Sequence, residues 1–285
     1  MIRHDFALSR VHALQGKDGG AINPLCRTIF LGDEGKARRC FVLLHGFTNC
    51  PQQFLQLAQR LHQDGDAVLV PRYPYHGLTD RLTKEPSRLT TDELIRFAND
   101  MTDIGQGLAR EVVVAGLSLG GLLAMWLAQH RADVARAVAI GPVFGLRYLP
   151  TALVRWAAGT LPDRYLWWDP RVKAELAPPY GYPRFSTRAY AALLGVSRLV
   201  EEAARSRRPK AGSIAVLINA NEPAVDNRAT LRVVEQWRAR GAKLDVRELP
   251  AALGLPHDLI DPGNQQGNIG LVYPIVLELL NGGQS

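Results

Sequence analysis

Cysteine is scarce in this chain. Its three residues, Cys26, Cys40 and Cys50, are too few and too irregularly spaced for a disulfide framework or a zinc cluster. A reducing, cytoplasmic setting is therefore expected. Long apolar runs are lacking too. No stretch approaches the uninterrupted length that spans a bilayer, so no integral membrane association is expected. The opening MIRHDFALSRVHALQ has no apolar core long enough for a secretory signal. There is no internal repeat and no low-complexity tract. With 47% hydrophobic and 21% charged residues, disorder as the main state is excluded.

The net charge is +7, which raises nucleic acid as a partner class. The excess is local, however. Residues 143–210 hold 12 Lys and Arg against 5 Asp and Glu, and the rest of the chain holds 22 of each. No zinc-finger spacing, helix-turn-helix pattern or RNA-binding aromatic signature accompanies it, so nucleic acid is not an expected partner.

What is present is an alternation of short apolar runs with helical patterns, the signature of a mostly parallel α/β sheet flanked by helices. Runs at 41–44, 67–70, 112–115, 134–140, 214–218 and 244–249 read as strands. The first of these is apolar throughout, as a strand buried on both faces should be. Between them, Phe54, Leu57, Ala58 and Leu61 recur at helical spacing. So do Leu94, Phe97, Met101 and Ile104, behind a Thr90/Glu93 capping box. A last helix is expected at 268–280, kinked or started at Pro274. Residues 143–210 break the rhythm. They carry three of the five tryptophans and five of the eight tyrosines, and no strong strand. The segment is far longer than an ordinary connection and reads as an inserted helical cap. It divides the chain into 1–142 (core, first part), 143–210 (cap) and 211–285 (core, second part).

The chemistry centres on Gly116-Leu117-Ser118-Leu119-Gly120, a G-x-S-x-G between a buried strand and a helix. A sharp strand-to-helix turn lifts the serine hydroxyl above the sheet, and flanking glycines give it room. A serine hydroxyl needs a base. After Ser118 the chain offers only His130 and His257. His130 ends the helix that Ser118 opens and is too far along it to reach back. His257 lies in a loop between the last strand and the last helix, where a base is expected. The orienting acid should follow the 214–218 strand. Glu222 stands there, with Asp226 as the competitor that more naturally caps the next helix. An oxyanion hole needs two convergent backbone N–H groups. Leu119 supplies one, and Phe47, in His45-Gly46-Phe47-Thr48, the other. His45 and His76 read as braces for their loops. His4, His12 and His62 show no metal spacing, and no metal site is expected.

These pieces, with Pro74-Tyr75-His76-Gly77, make the chain resemble the α/β-hydrolase superfamily. The likeness is to lidded bacterial carboxylesterases and monoacylglycerol lipases of the serine-aminopeptidase-like group. The resemblance implies an α/β-hydrolase fold, a Ser118–Glu222–His257 triad, an oxyanion hole at Phe47 and Leu119, a small ester as substrate and no cofactor. Glu222 departs from the family's usual Asp, which keeps Asp226 open. Asn49-Cys50 replaces a common glycine pair, and Tyr75 stands where glycine is usual. Thioesterase, acyltransferase or aminopeptidase activity would use the same triad, and a catalytically silent small-ligand receptor is the rival from another class. The cap aromatics Trp156, Tyr165, Trp167 and Trp168 are expected to offer apolar area to substrate.

Overall fold

The computed structural model describes residues 4–33, 35, 37–148, 151–168 and 178–283. Seven strands form one sheet: β1 (Ile29–Leu31), β2 (Ala37–Leu44), β3 (Ala67–Val70), β4 (Ala109–Leu117), β5 (Arg136–Ile140), β8 (Ser213–Asn219) and β9 (Leu244–Leu249). Their order across the sheet is β1-β3-β2-β4-β5-β8-β9. All neighbours are parallel except β1, which runs antiparallel to β3 at the edge. Successive side chains of a strand point to opposite faces, and both faces are covered. Val42, Leu44, Val112 and Val114 join one apolar cluster. Phe41, Leu43, Val113 and Ala115 join the other.

The first face is covered by α1 (His4–Gly16), α3 (Thr91–Leu108), α4 (Leu119–His130), α6 (Thr187–Ser206) and α7 (Asn227–Ala239). The second is covered by α2 (Leu55–Gln63) and α8 (Ile269–Asn281). Thr90 caps α3 in the full reciprocal box with Glu93. Pro274 lies inside α8 without ending it. Two elements before β2 escape the sequence pattern. Helix α1 buries only Ala7 and Val11, too few apolar positions to announce a helix. Strand β1 is three residues long.

Residues 143–210 cross from β5 to β8. They contain α5 (Thr151–Thr160), a small antiparallel hairpin of β6 (Tyr165–Trp167) and β7 (Arg184–Ser186), and α6. The hairpin was not expected from the sequence. Residues 149–150 and 169–177 of this stretch lie outside the described residues. Helix α6 packs on α3, α4 and α7 and buries Tyr190, Leu193, Leu194, Val196 and Val200 in the sheet's flanking layer. Residues 187–206 are therefore part of the helical layer over the sheet. No helix among the described residues is long and apolar enough to cross a membrane.

Candidate active site

Strand β4 ends in the turn that carries Ser118, whose φ of 57° and ψ of −109° lie where L-residues are strained. Such a conformation costs about 1–3 kcal/mol and persists only where the surroundings over-determine it. Here they do. Ser118 N–H donates to Ile140 O at 2.9 Å, and Val143 N–H donates to Ser118 O at 3.2 Å, tying the turn to the end of β5. The flanking glycines are steric necessities. A Cβ on Gly116 would stand 2.3 Å from the Gly120 carbonyl carbon, and one on Gly120 would stand 1.8 Å from Leu44 O. The serine is 8% exposed and lines a cavity of about 970 Å³. Leu119 opens α4, so its N–H is one of the donors a helix leaves without an internal acceptor.

Glu222 follows β8 by three residues and is 2% exposed. Its Oε2 accepts a hydrogen bond from His257 Nδ1 at 2.9 Å. Its Oε1 accepts from the N–H groups of Ala224 (2.8 Å) and Val225 (3.2 Å). Burial alone would raise the carboxyl's pKa, but the His257 contact and the two backbone donors outweigh it and hold the pKa below the ordinary value. His257 shows the converse. Burial would lower its pKa, but the bond to Glu222 and the charges of Glu222 and Asp258 raise it above the usual imidazole value. Asp226 takes the other role. It is the N-cap of α7, with Oδ1 accepting from Arg228 N–H at 3.0 Å. The His257 loop is pinned on both sides. Asn219 at the end of β8 donates to Leu255 O at 2.9 Å, and Tyr273 on α8 donates to Ile260 O at 2.9 Å.

His257, Ser118 and Phe47 all face the one cavity. Two further side chains of the loops around it carry left-handed backbone, Thr48 (φ 66°) and Tyr75 (φ 64°). Together with Ser118 they are the positive-φ residues other than glycine among the described residues. At Tyr75 the strain is offset by its own side chain. The hydroxyl donates to Glu93 Oε1 at 2.9 Å and Arg88 lies over the ring. Tyrosine can therefore stand where glycine is usual.

His45, His76 and His130 brace their surroundings. His45 Nδ1 donates to Gly46 O at 2.9 Å while Nε2 accepts from Tyr73 N–H at 3.3 Å. Burial pushes its pKa well below the ordinary value, so the ring is neutral. His76 is likewise neutral, with its pKa lowered to about 4 by burial. His130 donates to Trp126 O on its own helix and stacks on that indole.

The cap residues divide. Trp167 and Trp168 line the cavity with Leu166. Trp168 Nε1 donates to Thr48 Oγ1 at 2.7 Å, and its ring meets Phe47 edge-on. Trp156 sits on α5 at 62% exposure and is not among the residues lining the cavity. Tyr165 also lies off the cavity, its hydroxyl donating to Lys84 O and Arg184 lying over its ring. Tyr148, Tyr182, Phe185 and Tyr190, which no sequence motif singles out, complete the aromatic wall. The tyrosine-rich composition of 143–210 was the available signal for three of them.

The sequence pattern of the alpha/beta hydrolase family matches residues 41–261. A curated relative, the thermostable monoacylglycerol lipase of Bacillus sp. (strain H-257), is 28% identical over 125 residues, which cover 44% of this chain and 48% of that protein. The match thus spans about half the length of that relative. Among solved structures, one of the metagenome-derived lipolytic enzymes reported as LipS and LipT superposes with a TM-score of 0.69 at 18% identity, over 92% of this chain and 99% of that one. A soluble variant of the Saccharomyces cerevisiae monoglyceride lipase gives 0.69 at 12% identity, over 90% of this chain and 92% of that one. The monoacylglycerol lipase of Paleococcus ferrophilus gives 0.66 at 18%, over 89% and 98%. At these identities the structures speak for the fold. With the seven-stranded sheet and the serine turn at the end of β4, the pattern running through more than three-quarters of the chain establishes that this protein belongs to the alpha/beta hydrolase family.

Proposed function

We propose that the chain is a serine hydrolase of small carboxylic esters, with Ser118 as nucleophile, His257 as base and Glu222 as the acid that orients it. The observation that carries this reading is the buried Glu222–His257 hydrogen bond, set on the same cavity as the strained Ser118 turn. Ser118 Oγ attacks the acyl carbon as its proton passes to His257 Nε2. The backbone N–H groups of Phe47 and Leu119 receive the charge that develops on the carbonyl oxygen. His257 returns the proton to the departing alcohol, leaving an acyl group on Ser118. Water then attacks the acyl carbon, its proton going to the same ring nitrogen; the bond between the acyl carbon and Ser118 Oγ breaks, His257 returns the proton to Oγ, and the free acid departs. No cofactor takes part in this scheme.

In the same reading, 1–142 and 211–285 build the hydrolase core. Residues 143–210 form the cap, whose α6 packs on the core helices. Trp167 and Trp168, from the cap, contact the substrate. The cavity's walls, with Leu146, Val143 and Phe185 beside the tryptophans, are mainly apolar and suit an acyl chain. Each methylene buried there is worth about 0.8 kcal/mol.

A series of p-nitrophenyl esters from acetate to decanoate tests this. The expected result is a kcat/KM that rises at least about 10-fold from two to six or eight carbons, given that transfer energy per methylene. Trp168→Ala should flatten the rise. A profile that falls steadily from acetate onward would contradict an acyl site under the cap.

A further inference from the structure

In the wall of the cavity, which Gln53, Asn49 and Asp258 help to line, lies a polar assembly that the reaction scheme does not use. Gln53 is 2% exposed, and its amide is engaged at both ends. Oε1 accepts Gly46 N–H at 2.7 Å, and Nε2 donates to Asp258 Oδ2 at 2.7 Å. Gly46 immediately precedes Phe47, and Asp258 immediately follows His257. One short, planar side chain therefore joins the two loops that carry the oxyanion donor and the base, across 205 residues of sequence. Asn49 reinforces the join, its Nδ2 lying 3.3 Å from Asp258 Oδ2 and 3.3 Å from Asp261 Oδ2. Asp261 is fixed in turn by the Tyr180 hydroxyl at 2.5 Å and Gly263 N–H at 2.8 Å, both donating to Oδ1.

Resting on the hydrolase reading above, we propose that Gln53 and Asp258 form a strut that sets the position of the Phe47 N–H relative to the His257 ring, and that both are positioning residues for ester hydrolysis. The two reacting groups sit on loops leaving different strands, β2 and β9, which are far apart in the sheet order. Sheet hydrogen bonding fixes the strands and not the loops beyond them. A shift of about 1 Å between catalytic groups can cost on the order of 100-fold in rate, so a direct tie between the loops has a purpose that a tie to the sheet would not serve. Asp258 also acts through charge. His257 is faced by Glu222 at Nδ1 and by Asp258 along the chain, with Asp261 behind Asp258. Arg147 donates to the Glu222 backbone carbonyl. Burial and the charge of Asp261 push the Asp258 carboxyl up to about 6, against the bonds from Gln53 and Asp261 N–H. Above that pH its negative charge favours the imidazolium formed in the reaction.

Gln53→Leu keeps most of the side chain's volume and removes both bonds. The expected result is a kcat lowered about 10- to 100-fold, with KM within about threefold of the parent, since the lost interaction positions reacting groups and does not bind substrate. Asp258→Asn keeps an oxygen for Gln53 and removes the charge, so the acid limb of kcat/KM should move to lower pH, by about half a unit or more. A Gln53→Leu protein that loses only thermal stability while kcat stays within about threefold of the parent overturns the strut, provided that Ser118→Ala is inactive. An active Ser118→Ala would instead overturn the hydrolase reading beneath it. Should Gln53→Leu fail to fold, Asp258→Asn decides, and an unmoved acid limb counts against the proposal.

Discussion

Replacing Ser118 with alanine is expected to lower ester hydrolysis on the order of 10⁴-fold or more while the far-ultraviolet circular dichroism spectrum stays unchanged. The magnitude follows from the role. Without Oγ no acyl-enzyme forms, and only the oxyanion donors and binding remain to assist water. The fold should persist because Ser118 faces the cavity and not the sheet's apolar layers. Alanine keeps the Ser118 N–H to Ile140 O and the Ser118 O from Val143 N–H, although it inherits the positive φ. Serine already bears that strain, so the melting temperature should change little. Loss of activity by unfolding is not the expected outcome.

Glu222→Gln should lose roughly 10³- to 10⁴-fold in kcat. The amide can present an N–H to His257 Nδ1 and so favour the wrong tautomer, leaving Nε2 protonated and unable to accept from serine. The pH profile gives a second readout. In the proposed role of base, His257 accepts a proton only when neutral. Burial lowers its pKa, but the bond to Glu222 and the charges of Glu222 and Asp258 raise it above the ordinary value of about 6.5. In the parent enzyme kcat/KM should therefore fall as pH drops through a value above about 6.5. Without the carboxylate that limb should lie at lower pH. Asp226→Ala serves as the contrast. It removes the cap of α7 and should cost about 1 kcal/mol of stability with little change in kcat. A catalytic loss at Asp226 with none at Glu222 would reverse the two assignments.

The Ser118 turn was legible because its geometry is local. Five consecutive residues between an apolar strand and an apolar helix determine it, and the 1.8 Å approach of a Gly120 Cβ to Leu44 O explains why the glycine is there. The Glu222–His257 contact was legible from order along the chain, since strand ends converge on one edge of a parallel sheet. The strut was not. Nothing in a Gln at 53 points to an Asp 205 residues away, because the pairing exists only once two loops have met. Helix α6 is a related case. It belongs to a segment rich in aromatics and arginine, yet its own apolar stripe packs on α3, α4 and α7. Trp156 shows where composition fails. An apolar side chain is expected inward, but this one faces outward on α5, along with Leu153. The backbone strain at Thr48 left no residue signature, and that at Tyr75 showed only as a tyrosine where the resembled family usually has glycine.

The most direct test of the central claim is covalent labelling of the native protein with a fluorophosphonate, followed by peptide mass mapping. Phosphonylation needs a serine oxygen made nucleophilic by its base. The account predicts a single stoichiometric adduct on Ser118, lost in Ser118→Ala and slowed in Glu222→Gln in proportion to the loss of ester turnover. A protein that hydrolyses esters but carries no label at Ser118, or carries it on another residue, would contradict the account.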